Sequence, residues 1–272
     1  MKRKKASLRG LRAKGEAGRS NLKTGDNSSN VIFSRPASLR DVENHYCAGC
    51  GHGIVHRLVA EAVDAFGIRE RTIAVAPVGC AVLAYDYWNF DTTEAAHGRT
   101  PAVATGIKRM RPDNIVFTYQ GDGDLAAIGT AEIIHAANRG ENITVIFVNN
   151  GVYGMTGGQM APTTLAGQKT ATTALGRSLR RDGYPLKMLE MLAVLPGTKY
   201  LERVSVNSAH ETLRAKRAIM KAFKTQIDNK GFSMVEVLSM CPIYWDMTPI
   251  QSADRIKNEV TTFYPPGVVK TY

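Results

Sequence analysis

Apolar residues along this chain fall into two kinds of stretch, and their alternation predicts the fold. TIAVAPV (72–78), IVF within NIVFTYQ (114–120) and ITVIFV (143–148) are short apolar runs, the pattern of strands in a parallel sheet. Segments 200–206 and 232–239 predict two further strands. Elsewhere the spacing is helical. Ile54, Val55, Leu58, Val59, Ala62, Val63 and Phe66 repeat on one face until Gly67 ends the helix, and His56 within it suits a packed or surface role better than chemistry. Segment 101–111 predicts a helix with proline in its first turn, 211–230 a basic amphipathic helix, and 249–260 another. Alternating strands and helices predict an α/β fold: a mainly parallel sheet with helices on both faces.

Four stretches resist assignment. Residues 31–46 read as an irregular lead-in broken by Pro36, and 81–100 has few regular signals. The stretch after Asn150 is long and dense in Gly and Thr, the kind of loop that is usually functional in a compact domain. The segment from Cys241 onward reads as a wrapping tail with one helix. No internal repeat is visible.

The chain is organised around GDGDLAAIGTAEIIHAANRGENITVIFVNN (121–150), a strand–loop–helix–strand unit. Gly121 and Gly123 let backbone N–H groups approach a phosphate, and the following helix points its positive end at the same place. Asp122 offers a hard oxygen to a divalent cation. Asn150 ends the next strand, so the two side chains can share one Mg²⁺ where parallel strands present their C-terminal ends together. GDG alone is weak, and an ordinary βαβ unit with a polar turn would carry it too. GDG, helix, strand and NN in that order resembles the magnesium–diphosphate motif of thiamine-diphosphate enzymes. That resemblance implies Mg²⁺ on Asp122, Asn150 and the backbone carbonyl of Val152.

Length and composition change this picture little. The 272 residues carry a formal net charge of +11, of which residues 1–30 contribute +7. That basic, aromatic-poor segment predicts a disordered tail, with 31–272 as the folded domain. The tail could touch RNA or an acidic partner, imitate a transit peptide, or be a solvated extension. No apolar run approaches a membrane span and no signal peptide is visible, so the expected location is cytoplasmic.

The four cysteines are Cys47 and Cys50 in a CxxC, Cys80 at a strand end, and Cys241 after another strand. Segments ending at one edge of a sheet can bring four thiolates together. Structural zinc, a 4Fe–4S cluster, a redox CxxC with two spectators, and buried thiols without a metal all fit that set. Disulfides do not suit an intracellular chain.

YCAGCGHG (46–53), PVGC (77–80), HGRTPAVATG (97–106), the 121–159 stretch and VEVLSMCP (235–242) together resemble the β subunit of the 2-oxoacid:ferredoxin oxidoreductases, over about nine-tenths of the chain. PVGCAVLAYDYWNFD and CPIYWDMTP…FYPPGV resemble the 2-oxoisovalerate branch in particular. The resemblance implies a thiamine-diphosphate-binding fold and a 4Fe–4S cluster on Cys47, Cys50, Cys80 and Cys241. It also implies oxidative decarboxylation of a 2-oxoacid to an acyl-coenzyme A, with electrons passed through the cluster to ferredoxin. The candidate cofactor contacts are Gly121, Asp122, Gly123, Asp124, Asn150, Val152, Tyr153, Met155 and Thr156. Met155 could wedge between the cofactor's rings or be a core methionine. His97 and Arg99 are candidates for substrate-carboxylate or phosphate contact.

Apolar Val82 and Leu83 after Cys80 favour a branched apolar 2-oxoacid, although Arg99 or Lys169 could supply a cation for 2-oxoglutarate. The implied partners are an α subunit, which would supply the activating carboxylate, a ferredoxin-like subunit and ferredoxin. No membrane or nucleic-acid partner is expected. The long loop at 151–176 and the C-terminal segment are the expected subunit contacts. Two departures stand out: Ala48 replaces the usual proline of CPGC, and residues 1–30 have no family counterpart. A decarboxylase or acetohydroxyacid-synthase-like enzyme would not need four spaced thiolates. A zinc-stabilised nucleotide-binding module with an RNA-contacting tail is the alternative of another class.

Overall fold

Strands β1 (Thr72–Ala76), β2 (Asp91–Glu94), β3 (Ile115–Gly121) and β4 (Thr144–Asn149) come first in the computed structural model, which describes residues 34–272. A short antiparallel ribbon, β5 (Val152–Tyr153) with β6 (Gln159–Met160), follows, and then β7 (Thr198–Ser205), β8 (Phe232–Leu238) and β9 (Gly267–Thr271). Seven strands form one sheet in the order β2-β1-β3-β4-β8-β7-β9, parallel except for β9. The tail expected over residues 1–30 lies outside the described residues.

The apolar runs occupy the centre because both sheet faces are covered. Helix α1 (His52–Ala65) starts at the cysteine loop, and the short α2 (Ala84–Tyr87) follows β1. Helices α3 (Thr100–Met110) and α4 (Thr130–Asn138) flank β3. Next come α5 (Leu179–Asp182), α6 (Met188–Ala193) and α7 (Ala209–Ile227). Val55, Leu58 and Val59 of α1 and Ile219 and Phe223 of α7 join Phe117 and Val235 in one core. Ala104 of α3, Ile133 of α4 and Leu189 of α6 join Val116 and Val145 in the other. Alternate residues of β3 and β4 thus feed opposite layers, as parallel strands buried on both faces must.

At the C-terminus, α8 (Pro242–Trp245), α9 (Pro249–Arg255) and α10 (Thr261–Phe263) fold over the β4–β8 tips. A Thr248–Gln251 capping box starts α9, a device that contributes about 1 kcal/mol. Helix α9 ends in a π-helical turn, Ile256–Val260, where one helix over 249–260 was expected.

Two strands escape the apolar pattern. DTTE of β2 is polar and mostly exposed at one edge, within the stretch that reads as irregular. GVVKT of β9 closes the opposite edge, antiparallel to β7, where a wrapping tail was expected. Edge strands need only one neighbour and little apolar surface, so they leave a weak signal. Among the described residues no helix is long and apolar enough to cross a membrane.

Candidate active site

The chain leaves β1 toward β2 on one side and returns to β3 on the other, so the loops after β1 and β3 diverge at their carboxyl ends. Such a switch point opens a crevice. Here it is a cleft of about 670 Å³, part of it continuous with solvent, walled by 77–81 after β1, 121–124 at the end of β3, and Asn150 with 152–156 after β4. The chain immediately after β3 forms a π-helical turn, Asp124–Ile128, before α4 begins. Turns of this type recur at functional sites.

Asp122 and Asn150 both wall this cleft, as β3 and β4 pair in parallel with Gly121 opposite Val148. Asp122 is buried, and burial pushes its carboxyl up to about 7. Opposing that are the Thr163 hydroxyl, which donates to Oδ2 at 3.0 Å, the backbone N–H groups of Gly151 and Asn150, and the Gly123 N–H, which donates to Oδ1 at 2.9 Å. A carboxylate buried without a cationic partner is expensive, and a bound divalent cation removes that cost. Asn150 Oδ1 accepts from Val152 N–H at 3.1 Å, and its carbonyl accepts from Trp245 Nε1 at 3.1 Å. The turn that presents Asn150 and Val152 is thereby rigid.

Asp124, two residues from Asp122, has a different fate. Its Oδ1 accepts from His97 Nδ1 at 2.7 Å and Gly98 N–H at 2.8 Å. Its Oδ2 accepts from Thr100 Oγ1 at 3.0 Å and Gln120 Nε2 at 2.8 Å. Asp124 borders the cleft, but both oxygens hold the 97–100 loop. Gly98, at φ +78°, packs so closely on Ile128 and Gly129 that a Cβ there would lie within 2.8 Å of the backbone. The turn sends His97 to the cleft wall with its Nδ1 anchored, leaving Nε2 as the ring nitrogen for the cleft. It sends Arg99 elsewhere. Arg99 does not wall the cleft, and its half-exposed guanidinium pairs with Glu132 of α4. The expected anion contact at Arg99 is therefore not made in this arrangement.

Met155 is 55% exposed and borders the cleft, which excludes the core-methionine reading. Tyr153 lies with its ring against Gly123, and Thr156 donates its hydroxyl to Gln159 Oε1 at 2.6 Å while still facing the cleft. Val82 and Leu83 do not wall the cleft; Val78 and Ala81 do. Lys169 lines a separate surface hollow. Thr163 and His52 are site residues that the sequence did not flag. His52 is buried, hydrogen-bonds through Nδ1 to the Tyr119 hydroxyl at 2.8 Å, and is pushed down to about 4 by burial, so it is neutral near pH 7.

All four cysteines line a second, mostly apolar cavity beside the cleft. Burial pushes Cys50 and Cys80 up to about 11 and Cys241 up to about 12, so these thiols stay protonated near neutral pH, and a bound metal would take the proton's place. The Gly154 backbone packs close to two of them: a Cβ there would stand 3.0 Å from Cys80 Sγ and 3.8 Å from Cys241 Sγ. Among the described residues no three His, Cys, Asp or Glu side chains gather to hold a metal ion as they stand. The four thiols instead ring a cavity. His52, Cys80, Asn150 and Gly154 wall both the cleft and this cavity, so the two are immediate neighbours.

Comparison with known proteins identifies the family. The family described as thiamine pyrophosphate enzyme, C-terminal TPP binding domain, matches residues 77–237. Ketoisovalerate oxidoreductase subunit VorA of Methanothermobacter thermautotrophicus is 54% identical over 211 residues, 78% of this chain and 44% of that protein. This chain thus spans less than half the length of that relative. 2-Oxoglutarate synthase subunit KorB of Methanocaldococcus jannaschii is 41% identical over 215 residues, 78% of this chain and 75% of that one. The solved 2-oxoglutarate:ferredoxin oxidoreductase of Magnetococcus marinus, with 2-oxoglutarate, coenzyme A and succinyl-CoA bound, shares the fold at a TM-score of 0.73 and 24% identity, covering 89% of this chain and 86% of that one. With a thiamine pyrophosphate-binding domain over most of its sheet and subunits of this kind as relatives, the chain belongs to the thiamine-diphosphate-binding β-type subunits of the 2-oxoacid:ferredoxin oxidoreductase family.

Proposed function

We propose that this chain binds thiamine diphosphate through Mg²⁺ in the cleft, carries a 4Fe–4S cluster on Cys47, Cys50, Cys80 and Cys241, and acts within a hetero-oligomer that oxidises a 2-oxoacid to its acyl-coenzyme A. The observation that carries this reading is the shared wall. A buried acid suited to a divalent cation and a ring of four thiols stand on either side of Cys80, Asn150 and Gly154. When bound, the cofactor supplies decarboxylation and a reducing carbon centre, and a cluster accepts electrons one at a time.

The residues of this chain have separate tasks. Asp122, Asn150 and the Val152 carbonyl hold the cation, while Gly121 and Gly123 admit the diphosphate. Tyr153, Met155 and Thr156 shape the mouth of the cleft. His97, oriented by Asp124, gives or takes a proton at Nε2 or binds the substrate carboxylate. Four thiols around a cavity suit a group of several atoms, whereas a single zinc needs sulfurs drawn in to about 2.3 Å. Among the described residues the two acids that wall the cleft are committed, Asp122 to the cation and Asp124 to the loop. The carboxylate that activates the cofactor's aminopyrimidine therefore comes from a partner α subunit, and electrons leave through a ferredoxin-like subunit to ferredoxin.

The substrate reading is a branched apolar 2-oxoacid such as 2-oxoisovalerate. Among the described residues neither Lys nor Arg walls the cleft, and Val78, Ala81 and Met155 are apolar. The higher identity to a ketoisovalerate subunit than to a 2-oxoglutarate subunit agrees with this. Rates of coenzyme A-dependent dye reduction with 2-oxoisovalerate, pyruvate and 2-oxoglutarate test it on the assembled enzyme. Preference for 2-oxoisovalerate is expected, and preference for 2-oxoglutarate overturns the substrate assignment.

A further inference from the structure

A charged group with no part in the chemistry above lies under the cleft. Arg203 of β7 has a fully buried side chain. Its Nε donates to Glu236 Oε2 of β8 at 2.7 Å, and its Nη1 and Nη2 donate to the two oxygens of Glu190 on α6 at 2.9 and 2.7 Å. The other oxygen of Glu236 accepts from Asn149 Nδ2 at 2.7 Å, and Asn149 Oδ1 accepts from Gly151 N–H at 3.2 Å. This branch crosses three adjacent strands and ends on the turn that presents Asn150 and Val152.

A second branch leaves the same guanidinium, which lies over the Tyr264 ring at 5.3 Å. The Tyr264 hydroxyl directs its one proton between the Thr163 carbonyl at 2.9 Å and the Leu186 carbonyl at 3.1 Å. Thr163 Oγ1 in turn donates to Asp122 Oδ2 at 3.0 Å. Both candidate cation-holding elements therefore hang from Arg203 through buried contacts. A buried ion pair is poor value for stability, since apolar residues of equal volume do as well or better. What charged hydrogen bonds add is direction and distance.

We propose that the Arg203 network is a positioning device. Its two branches set the separation of Asp122 from the Asn150–Val152 turn to the distance that a small divalent cation needs. This inference rests on the proposed cation site.

The discriminating property is cation size. Mg²⁺ demands near-octahedral ligands at about 2.0–2.1 Å, whereas Ca²⁺ accepts looser ligands at about 2.3–2.6 Å. Arg203→Ala would strand two carboxylates and is expected to destabilise the fold severely, so each branch is tested by a gentler change: Asn149→Ala for the first and Tyr264→Phe for the second. Thiamine diphosphate binding to the full chain is measured by calorimetry in Mg²⁺ and in Ca²⁺, with melting temperature recorded. Each variant should stay folded and lose roughly tenfold in Mg²⁺-supported affinity, the low end of effects from groups behind metal ligands, with a clearly smaller loss in Ca²⁺. An unchanged affinity, or equal losses with both cations, overturns the positioning role while leaving the site intact. Failure of the unaltered chain to bind thiamine diphosphate with either cation overturns the site reading, and this inference falls with it.

Discussion

The cation corner of the cleft and the cysteine cavity share walls but are built in opposite ways. The first takes its candidate ligands from one contiguous unit, β3 through β4 and its following turn, placed by the register of two adjacent strands and held from behind by the Arg203 network. The second collects Cys47 and Cys50 from the loop before α1, Cys80 from the end of β1 and Cys241 from beyond β8. A contiguous site draws its ligands from one βαβ unit. A dispersed site needs the whole strand order. Each should therefore survive loss of the other's ligands wherever the sheet itself stays folded, and substitutions in each region can break or sharpen that contrast.

The largest effect is expected from Asp122→Ala. It should abolish Mg²⁺-dependent thiamine diphosphate binding by calorimetry while leaving iron content and visible absorbance in place. Wild-type affinity in this variant would remove Asp122 from the cation site. Next comes Cys50→Ser, which should yield colourless or unstable protein in an iron assay, because metal binding at such sites is coupled to local folding. Any protein that stays folded should still bind thiamine diphosphate. Full iron content after this change would remove Cys50 from the ligand set.

His97→Ala should come third, with turnover reduced by roughly 100-fold, the low end of general acid–base effects, and thiamine diphosphate affinity near that of wild type. If affinity falls in parallel with turnover, His97 holds the cofactor rather than serving the substrate. Asn150→Ala should be the mildest, weakening Mg²⁺-supported binding by roughly tenfold because the ligand lost is neutral. A loss as complete as that of Asp122→Ala would mean the turn itself collapses.

The same contrast explains what could be read from the sequence. GDG, helix, strand and NN lie in one stretch, so the strand order around Asp122 and Asn150 followed from local pattern. Element ends located the cysteines, but their meeting at one cavity depended on a sheet order that no periodicity encodes. Arg99 was out of reach for another reason. HGR offers His97 and Arg99 equally, and only the left-handed backbone at Gly98 decides which one meets the cleft. Val82 and Leu83 failed likewise, because the 79–84 turns bring Ala81 rather than its followers to the wall. Arg203 and Glu236 sit in strands read correctly as strands. Their pairing across β7 and β8 is a register fact, Arg203 opposite Glu236, that the individual runs do not carry.

The most direct test of the link between cleft and cavity follows the visible absorbance of the anaerobic assembled enzyme, loaded with iron, sulfide, Mg²⁺ and thiamine diphosphate, when 2-oxoisovalerate and coenzyme A are added. The unaltered enzyme should bleach as electrons enter the thiol-bound group, and Asp122→Ala should start with the same colour and keep it. Equal bleaching in both, or an unaltered enzyme whose colour ignores every 2-oxoacid, would contradict the claim that these neighbouring cavities form one electron path.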